Sequence, residues 1–184
     1  MKPALIIIDI QNDYFPGGKM ELEGSPEASL EAAKLLESFR AKGLPLVHIR
    51  HVSNRPGASF FLPDTEGVNI HANVAPRGGE TVLQKHFPNS FRETKLLERL
   101  RALGADHLVI AGMMTHMCVD ATTRAAFDLG FACSLAHDAC ATRALAFGEQ
   151  LVPAAQVHAA FVAALGGLYA KVQSAAAIAA EIAG

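Results

Sequence analysis

The stretch Leu108–Gly130, "LVIAGMMTHMCVDATTRAAFDLG", decides the fold. Its first four residues, Leu108–Ala111, have the length and branching of a buried strand. Thr115 stands where an N-cap belongs, and Gly130 where a helix closes. Cys118, Val119, Thr122, Ala125, Ala126 and Leu129 recur at three-and-four spacing and share one helical face. A strand, a short turn and a helix therefore follow one another, with Cys118 in the helix's first turn. Free backbone amides and the positive dipole end favour an anion there. Such a setting lowers a cysteine pKa from ~8.5 into the range ~3.5–7.5. On position alone Cys118 is equally well read as a small buried hydrophobe.

The rest of the chain repeats the strand–helix pattern. Ala4–Ile8, Leu46–Ile49, Thr81–Gln84, His107–Ala111, Phe131–Ala136 and Leu168–Val172 read as strands. Glu27–Lys42, Arg92–Leu103, Met117–Leu129, Ala154–Leu165 and Ser174–Ile182 read as helices. This alternation predicts an α/β fold of three layers, a central parallel sheet of about six strands between helices. With 184 residues, 51% of them hydrophobic and 18% charged, residues 1–184 are expected to form a single globular domain. The stretch Val52–Gly79 is rich in Pro, Gly and Asn and too long for a plain connector, so it reads as a binding loop.

Charge and composition narrow the partners. The net charge is −2 and no basic run occurs, which speaks against nucleic acid. The N-terminal apolar run is interrupted by Asp9, which speaks against a signal peptide or a membrane span. Three cysteines without a C-x-x-C pair suit reduced thiols in a cytoplasm. Helix Ala154–Leu165 is apolar on nearly every side, so a homo-oligomer, dimer or tetramer, is expected.

Open α/β sheets bind ligands at the carboxyl ends of their strands. There the first strand delivers Asp9, the third Lys85, the fourth the turn before Cys118, and the fifth His137 and Asp138. Asp9 follows a run apolar on both faces and needs a cation nearby to stay charged. Lys85 is the candidate. A structural ion pair is the plainer reading of these two, but a thiol at the same edge points to catalysis.

"LIIIDIQNDY" (Leu5–Tyr14), "QKHFPNSF" (Gln84–Phe91) and "VIAGMMTHMCVDATTRAAFDLG" (Val109–Gly130) together resemble the isochorismatase-like cysteine hydrolases. That superfamily includes nicotinamidases, N-carbamoylsarcosine amidase and streptothricin hydrolase. The resemblance runs from Ala4 to about Ala141, with three blocks in the family's order. It implies Asp9, Lys85 and Cys118 as catalytic residues, a cis peptide between Met113 and Met114, and an oxyanion hole made by the backbone amides of Met114 and Cys118. It implies cleavage of an amide, ureido or carbamoyl C–N bond in a small-molecule substrate, through a thioester and without a cofactor.

The departures bear on substrate. Nicotinamidases carry an Asp-x-His metal site after the second strand. This chain has "HIRHVSNRPG" there, and His48 and His51, three apart on a strand, face opposite ways. No catalytic metal is expected. Isochorismatases that cleave a vinyl ether lack the cysteine, so Cys118 argues against that reaction. Phe15, Phe60, Phe61, Phe91 and His116 are candidates for the substrate pocket. Three rivals stay open: a Cys–His dyad using His116 or His137, a silent binding or assembly protein on the same fold, and a thiol redox enzyme using Cys118.

Overall fold

The computed structural model describes residues 1–183. Six strands form one parallel sheet: β1 (Pro3–Ile8), β2 (Leu46–His51), β3 (Thr81–Lys85), β4 (His107–Met113), β5 (Ala132–Ala141) and β8 (Lys171–Gln173). Their order is β3-β2-β1-β4-β5-β8. The chain winds outward from β1 in one direction and from β4 in the other. The sheet therefore has its topological switch point between β1 and β4, where such sheets open a crevice at their carboxyl ends.

Side chains of β1 alternate between two cores. Leu5 and Ile7 pack with Leu35, Leu36 and Phe39 of α1 (Ser25–Ala41) and Ile178 of α5 (Ala175–Ala183). Ala4, Ile6 and Ile8 pack with Leu96 and Leu100 of α2 (Leu96–Ala102), Ala126 of α3 (Asp120–Asp128) and Leu165 of α4 (Ala154–Gly166). The two-residue period of a strand makes the run apolar throughout, since both faces are covered. In α1 the buried positions Ala28, Ala32, Leu35, Leu36 and Phe39 follow the helical stripe. No helix among the described residues is long and apolar enough to cross a membrane.

Four differences from the sequence reading have physical causes. β4 runs on to Met113, and β5 to Ala141, with a break in register: Ile110 pairs with Leu135 but Gly112 with Cys140. The extra residues of β5 bulge out. His137 and Asp138 consequently lie within the strand and do not end it. Asp138 Oδ1 accepts from the Ala175 amide (2.7 Å) at the start of α5. Thr115 is no N-cap. It opens a π-helical turn, Thr115–Val119, and its hydroxyl donates to Ala141 O (3.3 Å). Residues 92–95 stay in turns, where Thr94 Oγ1 accepts from the Leu96 amide (3.2 Å), so α2 begins late. A small antiparallel hairpin, β6 (Leu145–Phe147) with β7 (Gln150–Val152), precedes α4.

Gly112 sets how closely β4 can approach β1. Its φ is +141°, and a Cβ there would collide with the Ile8 carbonyl. That contact lies next to the crevice, one residue before Asp9.

Candidate active site

Three strand ends supply the polar groups. Asp9 follows β1 in a left-handed conformation (φ 50°), its amide donating to Ile49 O (3.1 Å). Asp is one of the few residues that take this region readily. His51 ends β2 and Lys85 ends β3, paired across the ladder. Cys118 comes from the turn after β4.

The Lys85 ammonium stands at the centre. It lies 2.6 Å from Asp9 Oδ2, 3.2 Å from Cys118 Sγ and 3.1 Å from His51 Nδ1. Asp9 and Lys85 are essentially inaccessible to solvent. Because an ammonium only donates, His51 Nδ1 accepts and the ring carries its proton on Nε2. Gln11 holds the His51 backbone from both sides. Its Nε2 donates to His51 O (2.9 Å) and its Oε1 accepts from the His51 amide (2.7 Å).

Burial dominates the electrostatics. It pushes the Asp9 carboxyl above the ordinary carboxylate range, against the opposing pull of Lys85. Burial opposes the charge of Lys85, but its pairing with Asp9 outweighs that cost and Lys85 remains an ammonium. Burial, then the Lys85 charge, drive His51 down to about 3, so its ring is neutral. The Cys118 thiol is pushed up, by burial first and then by the Asp9 charge, with Lys85 opposing. This corrects the expectation of a resting thiolate. A helix end contributes ~0.3–1 kcal/mol, whereas desolvating a thiolate costs several.

The ligand atoms of Asp9, His51 and Cys118 lie within 4.8 Å of one another, a spacing that would suit a metal ion. All three groups contact the Lys85 ammonium, which occupies the cation's place among them. The donor set does not fit a metal while Lys85 is charged.

A cavity of about 80 Å³ opens beside Cys118, walled by Phe60, Phe61, Met114 and Met117. Of the aromatic candidates Phe60 and Phe61 line it. Phe15 stacks instead on His71 (3.6 Å between centroids), and Phe91 faces Phe131. His116 turns Nδ1 to Thr142 Oγ1 (2.5 Å) and its ring edge to Phe161, while His137 lines a separate cavity with His158. Neither histidine proposed for a Cys–His dyad lines the cavity beside Cys118. The Met113–Met114 peptide is cis. The loop after β2 delivers Phe60, Phe61 and Arg55, and Asp13 fastens it, Oδ2 accepting from the Phe61 amide (2.6 Å).

Sequence reasoning missed His51, Tyr14, Arg55 and His86 as cavity residues. For His51 a signal existed. His48 and His51 do face opposite ways, His48 toward Glu80 and His51 toward Lys85. But His51 is also the last residue of a strand flanked by the strands that deliver Asp9 and Lys85.

Comparison with known proteins shows the family and the fold. The Isochorismatase domain model matches residues 3–174. The uncharacterised isochorismatase family protein YddQ of Bacillus subtilis is 51% identical over 174 residues, covering 95% of this chain and 97% of that protein. A streptothricin hydrolase of Streptomyces noursei is 35% identical, over 95% of this chain and 63% of its own length. A crystal structure from Oleispira antarctica, described as an isochorismatase hydrolase, superposes with a TM-score of 0.93 at 52% identity, covering 97% of this chain and 96% of its own.

Proposed function

The chain belongs to the isochorismatase domain family, and on that footing we propose that it hydrolyses an amide, ureido or carbamoyl C–N bond of a small molecule through a thioester on Cys118. The observation that carries this reading is the single ammonium of Lys85 bridging Asp9 (2.6 Å) and Cys118 (3.2 Å). Relatives whose names state amide chemistry, a maleamate amidohydrolase of Pseudomonas putida and a nicotinamidase of Arabidopsis thaliana, support it.

The order of proton transfers follows from the electrostatics. At rest Asp9 is ionised and paired with Lys85, and Cys118 is a thiol. Asp9 takes the thiol proton as the sulfur bonds to the substrate carbonyl carbon. The carbonyl π pair moves onto oxygen, and the backbone amides of Met114 and Cys118 receive that oxyanion. Such donors are worth ~3–4 kcal/mol each where measured. The oxyanion collapses, the C–N bond breaks, and Asp9 returns its proton to the departing nitrogen. Water then attacks the thioester, gives a proton to Asp9, and the acid leaves as the proton returns to sulfur. Lys85 keeps its charge throughout and stabilises whichever of its two neighbours is anionic. No step needs a cofactor.

The experiment is a screen of primary amides, ureides and carbamates with the wild-type protein and Cys118→Ala. Rapid quench with a hydrolysed substrate should give Cys118 carrying the acyl mass. Turnover that survives in Cys118→Ala overturns the assignment.

The same proposal places the protein in a reducing compartment, since Cys118, Cys133 and Cys140 are all free. It also places α4 in a homo-oligomer interface, supported by the outward face of Ala155, Ala159, Ala160, Ala163 and Ala164. Light scattering that reports a monomer at micromolar concentration overturns the oligomer.

A further inference from the structure

The amide chemistry uses Asp9, Lys85 and Cys118 and leaves unused the third group on the Lys85 ammonium, the ring of His51. An ammonium carries three N–H donors. Three acceptors meet it: Asp9 Oδ2 at 2.6 Å, Cys118 Sγ at 3.2 Å and His51 Nδ1 at 3.1 Å. No fourth acceptor among the described residues touches it. The three contacts differ in one respect. Asp9 gains and loses a proton during the reaction, and the sulfur passes from thiol to thioester and back. His51 does neither. Its Nδ1 lone pair faces the ammonium, its Nε2 already carries a proton, and burial beside the Lys85 charge keeps the ring neutral.

His51 is itself held. It is the register partner of Lys85 across the β2–β3 ladder, so the two side chains leave the sheet on the same side. The buried Gln11 side chain binds the carbonyl and the amide of His51 (2.9 and 2.7 Å), and its other amide hydrogen goes to Val68 O (2.8 Å). Phe61 packs beside the ring, 5.9 Å between centroids.

We propose that His51 is a positioning residue: its Nδ1 holds the Lys85 ammonium in one place while Asp9 and Cys118 change state, and Gln11 holds His51. This rests on the amide-hydrolase reading and deepens it. A neutral anchor suits the role. An anion there would compete with Asp9 and Cys118 for the Lys85 charge, and a cation would repel it. Without an anchor the ammonium follows whichever neighbour is anionic, and its distance from the other grows when proton transfer needs both in place.

The first test does not depend on turnover. Long-range proton–nitrogen correlation spectra of protein labelled with ¹⁵N at histidine identify His51 as the signal absent from His51→Gln. The wild type should show a neutral ring with its hydrogen on Nε2 at about pH 6 as at about pH 8, on both sides of the ordinary histidine value. In Asp9→Asn/Lys85→Met no ammonium remains, and the Nδ1 resonance should move toward that of an unbonded imine nitrogen. A hydrogen on Nδ1, a charged ring, or an Nδ1 resonance indifferent to the double variant overturns the proposal.

The second test is kinetic, on one amide that the wild type hydrolyses. His51→Leu should lower kcat by on the order of 10–100-fold and change KM by less than about threefold, because the anchor acts through Lys85. His51→Gln offers Lys85 a side-chain oxygen and should recover most of the loss. Packing alone would be served as well by the Leu as by the Gln substitution. Equal kcat in the two variants therefore overturns the proposal, as does wild-type kcat in His51→Leu. If His51→Leu does not fold, His51→Ala takes its place and the spectra decide independently. An Nε2–H ring bonded to Lys85, in a protein that turns over no primary amide, ureide or carbamate, would keep the anchor and remove the hydrolase. Turnover with a charged or Nδ1-protonated His51 would keep the hydrolase and remove the anchor.

Discussion

The sulfur of Cys118 lies 3.2 Å from the ammonium of Lys85 and still keeps its proton at rest. One cation would favour the thiolate, but Asp9 has already claimed that cation at 2.6 Å, and a second anion would share it without solvent. Cys118 borders the cavity, whereas the other two thiols are buried with hydrogen bonds to Phe131 O and Ala136 O. Methyl methanethiosulfonate should therefore modify Cys118 first, through access and not through ionisation. The rate should keep rising with pH past the ordinary cysteine pKa of ~8.5. A rate that levels off near neutrality would show a resting thiolate and leave Asp9 without a thiol proton to take.

His51 makes the native state sensitive to acid. Its pKa falls from 6.5 to about 3 on folding, mainly by burial. The unfolded chain then binds more protons at this position between those two values. Stability is complete above the unfolded value and declines as pH falls toward the folded one. The loss is roughly 2–4 kcal/mol after allowing for partial solvent contact. His51→Gln keeps an acceptor for Lys85 but cannot titrate. Urea unfolding at several pH values should give a shallower acid decline for the variant than for wild type. Equal slopes would mean that His51 is charged in the folded protein.

The loop that walls the cavity depends on Asp13. This carboxylate accepts from the Phe61 and Lys19 amides (2.6 and 3.2 Å), and a Cβ on Gly67 would strike it. Gly67→Ala should displace the carboxylate and free the Phe61 segment while the sheet stays intact. The expected signature is a KM raised more than kcat is lowered, together with faster proteolytic nicking between 53 and 67. Loss of the global unfolding transition at the same denaturant concentration would instead place Asp13 in the core.

Asp9 and Lys85 could be read from sequence because each closes a run that ends a parallel strand, and such ends converge by topology alone. Cys118 followed from the strand–turn–helix pattern, although the turn proved to be π-helical. His137 and Asp138 were misplaced because a bulge in β5 depends on pairing with β4, which no local pattern encodes. Phe15 and Phe91 show the same limit: an aromatic residue advertises burial but not its partner, here His71 and Phe131. The hairpin Leu145–Val152 escaped notice since Phe147 and Leu151 are exposed apolar residues that break any in-and-out alternation.

The Asp9–Lys85 pair separates stability from chemistry. Asp9→Asn removes the base and strands an ammonium that has no access to water. Breaking a buried pair from one side costs ~3–5 kcal/mol, whereas replacing both charges by groups of similar volume is often neutral. Asp9→Asn alone should therefore lose both stability and turnover. Adding Lys85→Met should restore most of the stability and none of the turnover, because neither a proton carrier nor a cation remains. The measurements are denaturant midpoints and kcat/KM for wild type, both single variants and the double variant on one hydrolysed amide. The coupling energy from the stability cycle should be large and favourable. If Asp9→Asn folds as stably as wild type and turns over at a normal rate, Asp9 carries no charge of consequence. The proton would then have to travel through His51, the one imidazole that touches Lys85 beside the sulfur.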